Sequence, residues 1–143
     1  MNKIMFFCFL VIMSCNINAS EMRYYDIGSN KELSAKLSQA IKNDFPVFIY
    51  IHADWCFVCD YMDKDVWSKK SVSDKFNKEF LNLSIDISEM TREKNDLLNF
   101  LKVQSTPAYF FYNSSGILKH RQGGFVPDYE LFEIIDNVLE NSK

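Results

Sequence analysis

From Pro46 to Ile51 the chain reads Pro46-Val47-Phe48-Ile49-Tyr50-Ile51, an unbroken apolar run rich in β-branched and aromatic residues. Such a run predicts a fully buried strand. After His52-Ala53-Asp54 the period changes, and Cys59, Met62 and Val66 recur at helical spacing. Upstream, Arg23 to Ile27 predicts a short edge strand, and Ser29-Asn30-Lys31-Glu32 matches a capping box that opens a helix. Leu33, Leu37, Ala40 and Ile41 fall on one face of that helix, and Asn43-Asp44 end it. Downstream, Val72, Phe76 and Phe80 mark a second helical segment. Leu81, Leu83, Ile85 and Ile87 then alternate with Asn82, Ser84 and Asp86, the pattern of a strand. Leu97, Leu98 and Leu101 mark a further helix. Two strand-like runs, Ala108 to Tyr112 and Ile117 to Gln122, flank the turn residues Asn113-Ser114-Ser115-Gly116 and predict an antiparallel hairpin, broken by Gly123-Gly124. Asp128 is placed to cap a last helix carrying the stripe Leu131, Ile134, Ile135, Val138 and Leu139. The predicted order is β-α-β-α-α-β-α-β-β-α. It implies an α/β fold with a mixed central sheet and helices on both faces.

The chemistry sits where the buried strand turns into the helix, in Trp55-Cys56-Phe57-Val58-Cys59. Cys56 falls at the helix N-terminus, where unpaired N–H groups and the helix dipole favour a negative charge on sulfur. A thiolate is the species that attacks disulfides. Cys59 lies one turn further in and is placed to attack the resulting mixed disulfide. Cys56 is therefore the expected nucleophile and Cys59 the resolving thiol, and a purely structural disulfide is the alternative. So short a loop constrains the unfolded chain little, which favours a cycling pair over a staple.

The N-terminus changes the cysteine arithmetic. Lys3 followed by the apolar stretch Ile4 to Met13, too short to span a bilayer, and by Ile17-Asn18-Ala19 reads as an export signal over residues 1–19, with one domain over 20–143. Ile12-Met13-Ser14-Cys15 also resembles a lipobox, by which Cys15 would be acylated and become the mature N-terminus. By either route Cys56 and Cys59 are the only thiols left to the folded domain, in an oxidising compartment of the cell envelope. Removing residues 1–19 takes away Lys3 and no acid, leaving 15 basic against 19 acidic residues and a formal charge of −4. That balance does not suit nucleic acid. With 143 residues, 48% of them apolar, the chain suffices for one core and no second domain of ordinary size. No further segment is long and apolar enough to cross a membrane.

The element order, the cysteines at the strand-to-helix junction and Thr106-Pro107 ahead of the hairpin together resemble the thioredoxin-like family over about residues 22–141. Ala53-Asp54-Trp55-Cys56-Phe57-Val58-Cys59 is similar to the Ala-Asp-Trp-Cys-Val-Ala-Cys segment of the C-terminal periplasmic domain of the disulfide reductase DsbD. The resemblance implies that Cys56 attacks and Cys59 resolves. It also implies that Pro107 follows a cis bond beside them, that Thr106 offers backbone groups to an extended substrate, and that Trp55 shields the site. Apart from the resemblance, a tryptophan near a strand end reads as core.

Two departures mark this chain. Thioredoxins carry a buried aspartate six residues before the first cysteine, and Tyr50 stands there instead. Asp63, four residues after Cys59, matches a glutamate of the DsbD domain and is a candidate proton acceptor for Cys59; the other reading puts it on a solvated face with Asp60, Lys64 and Asp65. Phe57-Val58 also replaces the Gly-Pro of thioredoxin itself. His52 and His120 lack the spacing to cysteine that a four-ligand zinc site requires, and read as packed or solvated.

These readings converge on a thiol-disulfide oxidoreductase of the bacterial cell envelope, needing no bound cofactor and acting as a monomer. The resemblance favours a disulfide reductase fed by a membrane electron donor and acting on exported proteins with disulfides. Asp54, Asp60, Asp63 and Asp65 agree, since carboxylates oppose a thiolate nearby. A disulfide oxidase or isomerase, and a non-catalytic peptide-binding module, are the alternatives.

Overall fold

The computed structural model describes residues 21–140. The segment expected to be an export signal, with Cys8 and Cys15, lies outside the described residues. Strand β1 (Tyr25–Asp26) leads to α1 (Asn30–Lys42), β2 (Val47–His52) and α2 (Phe57–Met62). A π-helical segment (Asp63–Trp67) extends α2 and is followed by α3 (Lys70–Glu79), β3 (Leu81–Asp86) and α4 (Arg92–Leu101). The hairpin β4 (Ala108–Tyr112) and β5 (Leu118–Gly123) precedes α5 (Asp128–Glu140). This is the predicted order.

The strands form one sheet in the order β1-β3-β2-β4-β5. β3 runs parallel to both β1 and β2, while β4 runs antiparallel to β2 and β5. The sheet is therefore mixed, with β2 at its centre. Because side chains alternate across a strand, β2 divides its residues between two cores. Val47, Ile49 and Ile51 join an aliphatic cluster with Leu83 and Ile85, under Leu33 and Ala40 of α1 and Leu97 and Leu101 of α4. Phe48 and Tyr50 face the other way into an aromatic cluster with Tyr109, Phe111, Trp67 and Phe76, covered also by α5. Burial on both faces is why β2 reads as continuously apolar. Phe48 and Phe76 meet edge to face at 4.7 Å, and Tyr50 stacks on Tyr109 at 5.6 Å.

Local sequence accounts for the element ends. Ser29 Oγ accepts the Glu32 N–H at 3.3 Å, and the Glu32 carboxylate accepts the Gly28 N–H at 2.8 Å, so the capping box forms with its return bond one residue upstream. Asn113 Oδ1 accepts the N–H groups of Ser115 and Ile117, and Gly116 takes φ 76°, which closes the hairpin turn.

Three elements depart from the sequence pattern. Two of the polar residues of β3 do not face water: Asn82 and Ser84 are 3% and 2% exposed, with Asn82 bonded to Asn77 and Ser84 to Asp26. The helix through Cys59, Met62 and Val66 is not uniform. Its wider π turn lets Trp67 lie inward beside Val66, at 4% and 2% exposure. Asp128 is the first residue of α5 rather than its cap. Its carboxylate accepts the N–H of Tyr129 and pairs with Lys69 at 2.7 Å, while the Pro127 carbonyl takes the first helical bond, from Leu131.

Candidate active site

β2 delivers the chain to its end at His52, where the Ile87 N–H donates to the His52 carbonyl at 2.9 Å. The loop that follows is held from below. Ser88 Oγ accepts the Asp54 N–H at 2.8 Å, and Asp86 in turn accepts from the Ser88 N–H at 2.8 Å and hydroxyl at 2.5 Å. Those bonds hold the Asp86 carboxyl below the usual carboxylate range. The Ala53 carbonyl then accepts the Cys56 N–H at 3.1 Å, and the turn opens α2 with Cys56 at its N-cap.

Cys56 and Cys59 are joined as a disulfide, with Cα atoms 5.2 Å apart. The Cys59 N–H is directed at Cys56 Sγ, 3.2 Å away. One of the unpaired donors of the helix start is thus aimed at the sulfur that carries charge when the bond is reduced. The two cysteines are unequally placed, Cys56 at 7% exposure and Cys59 at 2%. α2 lies across the junction of the two cores, with Cys59 in the aliphatic cluster and Met62 in the aromatic one.

The hairpin brings the second part of the site. Ala108 pairs with Ile51, so Pro107 stands beside the end of β2 that feeds the cysteine loop. The Thr106–Pro107 peptide is cis. Gly124 N–H donates to the Pro107 carbonyl at 3.0 Å, and a Cβ on Gly123 would stand 3.2 Å from that same oxygen, so this crossing favours glycine. Trp55 and Thr106 line one groove of about 280 Å³ together with Ile87, Leu98 and Val103. Trp55 is 66% exposed, which overturns its reading as core. On the other flank Phe57 is 81% exposed, and Tyr61, one turn along α2, meets Phe125 edge to face at 5.3 Å. This aromatic flank was not singled out from sequence, although the i, i+4 spacing of Phe57 and Tyr61 was there to read.

Asp63 opens the π-helical segment at the surface edge. Asp60 and Lys64 pair on the solvated face at 2.8 Å. Asp63 instead turns one oxygen inward and accepts from the Tyr50 hydroxyl at 3.3 Å. Burial lifts its carboxyl above the usual range, with nearby Asp60 adding to the rise, and His52 and the Tyr50 bond counteract it. His52 is stacked on Tyr50 at 4.9 Å, and His120 bonds to Gln122 at 2.9 Å, so both histidines sit in packed settings.

The arrangement is a disulfide at a helix start, flanked by an apolar groove beside a cis-proline, with a carboxyl one turn beyond the inner sulfur. The sequence profile of the thioredoxin-like domain matches residues 33–139. Among curated proteins, the chain is similar to the thiol:disulfide interchange protein DsbD of Pectobacterium atrosepticum, at 26% identity over 69% of this chain, and to that of Klebsiella pneumoniae, at 28% over 68%. It spans 16% of the length of each. Among solved structures, the oxidised C-terminal domain of Neisseria meningitidis DsbD superposes with a TM-score of 0.69 and 25% identity, covering 80% of this chain and 100% of that domain. A thioredoxin from Thermus thermophilus shares the fold at a TM-score of 0.67 and 24% identity, covering 85% of this chain and 90% of its own.

Proposed function

The chain belongs to the thioredoxin-like domain family, and from that membership we propose that it is a thiol-disulfide oxidoreductase of the bacterial cell envelope, reducing disulfides in exported proteins. The observation that carries this reading is the Cys56–Cys59 disulfide at the N-cap of α2, with the Cys59 N–H on Cys56 Sγ. In the reduced protein, Cys56 thiolate attacks one sulfur of a partner disulfide. A mixed disulfide forms, and the partner's other sulfur leaves as a thiolate that takes up a proton. Cys59 gives its proton to Asp63, and its sulfur attacks Cys56, closing the Cys56–Cys59 bond and expelling the second partner thiol. Two electrons have then passed to the partner. A membrane-bound dithiol donor returns them by the same exchange in reverse.

Partners would be received in the groove of Trp55 and Thr106, the residue that precedes the cis-proline Pro107. The apolar walls suit an extended segment around the target cysteine, and Thr106 would supply backbone hydrogen bonds. Direction follows from charge. Asp54 and Asp60 flank the cysteines, with Asp63 and Asp65 next along the π-helical segment, and negative neighbours disfavour the thiolate that an oxidising member of this chemistry stabilises. We expect a reduction potential below about −200 mV, measured by equilibrating the pair with glutathione buffers. A value near −120 mV would reverse the direction to an oxidase. Absence of exchange with any dithiol would favour a binding module.

The export signal is residues 1–19, cleaved before Ser20, or in the lipoprotein route a shorter segment that ends before an acylated Cys15, leaving residues from Ser20 or Cys15 onward in the envelope. Among the described residues no helix is long and apolar enough to cross a membrane, so in this reading any membrane attachment comes from the N-terminus. Intact mass of the protein from its native host separates the two starts. Full-length chain in the cytoplasm would overturn both.

A further inference from the structure

We propose that Tyr50 is the positioning residue for Asp63, its buried hydroxyl fixing the carboxylate that takes the Cys59 proton. This rests on the role proposed above for Asp63 and adds the group that sets its orientation and charge. Asp63 lies on the surface edge of a helix whose neighbouring charges, Asp60 and Lys64, pair with each other in solvent. What draws one Asp63 oxygen inward is a bond that crosses from the central strand, Tyr50 hydroxyl to Oδ1.

Tyr50 is suited to hold rather than to titrate. It is 2% exposed, and burial, with the Asp63 charge beside it, pushes its phenol far above neutral pH. It therefore remains a donor, and a donor to a carboxylate favours the charged form. The ring cannot swing away, because Tyr109 stacks on it at 5.6 Å, His52 at 4.9 Å, and Trp67 lies 5.6 Å off at a tilt. The other ionisable groups felt at this point are His52 from the end of β2, Asp60 from α2, Tyr109 from β4 and Tyr24 from the segment ahead of β1. His52 favours the Asp63 carboxylate and Asp60 opposes it. Tyr24 and Tyr109 are themselves held neutral by burial.

The bond is long. At 3.3 Å it exceeds the ordinary span for a hydroxyl donor, so its effect falls below that of well-formed charge-assisted bonds and at the lower end of ordinary ones, roughly threefold in the Asp63 ionisation equilibrium. Removing the hydroxyl takes a stabilising donor from the carboxylate, so its midpoint moves up, by about half a pH unit for that factor.

The test follows mixed-disulfide resolution across pH in wild type, Tyr50→Phe, Asp63→Asn and the double variant. Tyr50→Phe is expected to shift the midpoint of the rise up by about half a unit and to slow resolution roughly threefold below it. In the Asp63→Asn background it should change nothing further. An unshifted midpoint, or the same slowing in both backgrounds, would make Tyr50 a packing residue and leave the role of Asp63 standing. A wild-type profile in Asp63→Asn would overturn that role and the inference with it. In unmutated protein carrying 13C at tyrosine Cζ and aspartate Cγ, the Tyr50 and Asp63 resonances should titrate together. A Tyr50 signal blind to the Asp63 midpoint would overturn the inference without any variant.

Discussion

Cys56→Ser is expected to abolish disulfide exchange, whereas Cys59→Ser should keep an attacking thiol and become trapped in mixed disulfides with its partners. The two sulfurs are not equivalent. Cys56 is the N-cap, receives the Cys59 N–H at 3.2 Å, and is the more exposed of the pair at 7% against 2%. Both cysteines belong to the aliphatic cluster, and Cys59 is the more enclosed of the two. A sulfur so enclosed reaches another sulfur only within its own turn, so losing Cys56 leaves no thiol able to meet a partner. Loss of Cys59 leaves the first step intact and removes the second, since resolution needs a thiol already in place behind the mixed disulfide. Non-reducing gels of both variants, after incubation with oxidised envelope proteins, should show adducts for Cys59→Ser alone. Adducts on Cys56→Ser would reverse the assignment.

Much of this site is legible in the chain because its parts are local. A buried strand, a helix start and two cysteines one turn apart lie within fourteen residues, and each has its own period or spacing. The hairpin is legible for the same reason, its turn chemistry being carried by Asn113 and Gly116. The cis bond before Pro107 is different. Composition shows only an X-Pro pair, for which cis is the minority form, and the resemblance to thioredoxins supplied the expectation that the structure meets.

What stays hidden depends on register between distant segments. Whether Trp55 lies in the core or on the groove depends on the path of the loop after β2, which Ser88 and Asp86 fix from 34 residues away. The burial of Asn82 and Ser84 depends on partners in α3 and β1 that no alternation within β3 reveals. The π turn is invisible to a helical count that assumes one period throughout, and only the need to seat Trp67 among Phe48, Tyr50 and Phe76 accounts for it. The same register decides Asp63. Helix spacing allows it to face solvent or the interior, and the bond from Tyr50 selects between them.

Asp63→Asn should slow resolution of the mixed disulfide by about a hundredfold near neutral pH, the usual scale for a well-placed general base. The substitution is chemically narrow. Asparagine keeps an oxygen at the same place, so the Tyr50 hydroxyl retains an acceptor, and what is lost is the ability to take a proton. The wild-type rate should therefore rise with pH through the Asp63 midpoint, which burial places above the ordinary carboxylate value, and the variant should lack that rise. Stability separates this effect from damage to the fold. A carboxyl whose midpoint is higher folded than unfolded binds its proton more tightly in the native state, so its ionisation costs stability as pH rises through that range. Removing the charge should leave the variant no less stable than wild type at neutral pH while its resolution step is slow. Stopped-flow fluorescence of Trp55, beside the cysteines, can follow attack and resolution as separate phases, with the loss confined to the second. Equal resolution rates at every pH would return Asp63 to the solvated face that Asp60 and Lys64 occupy, and the proton of Cys59 would have to leave by another group.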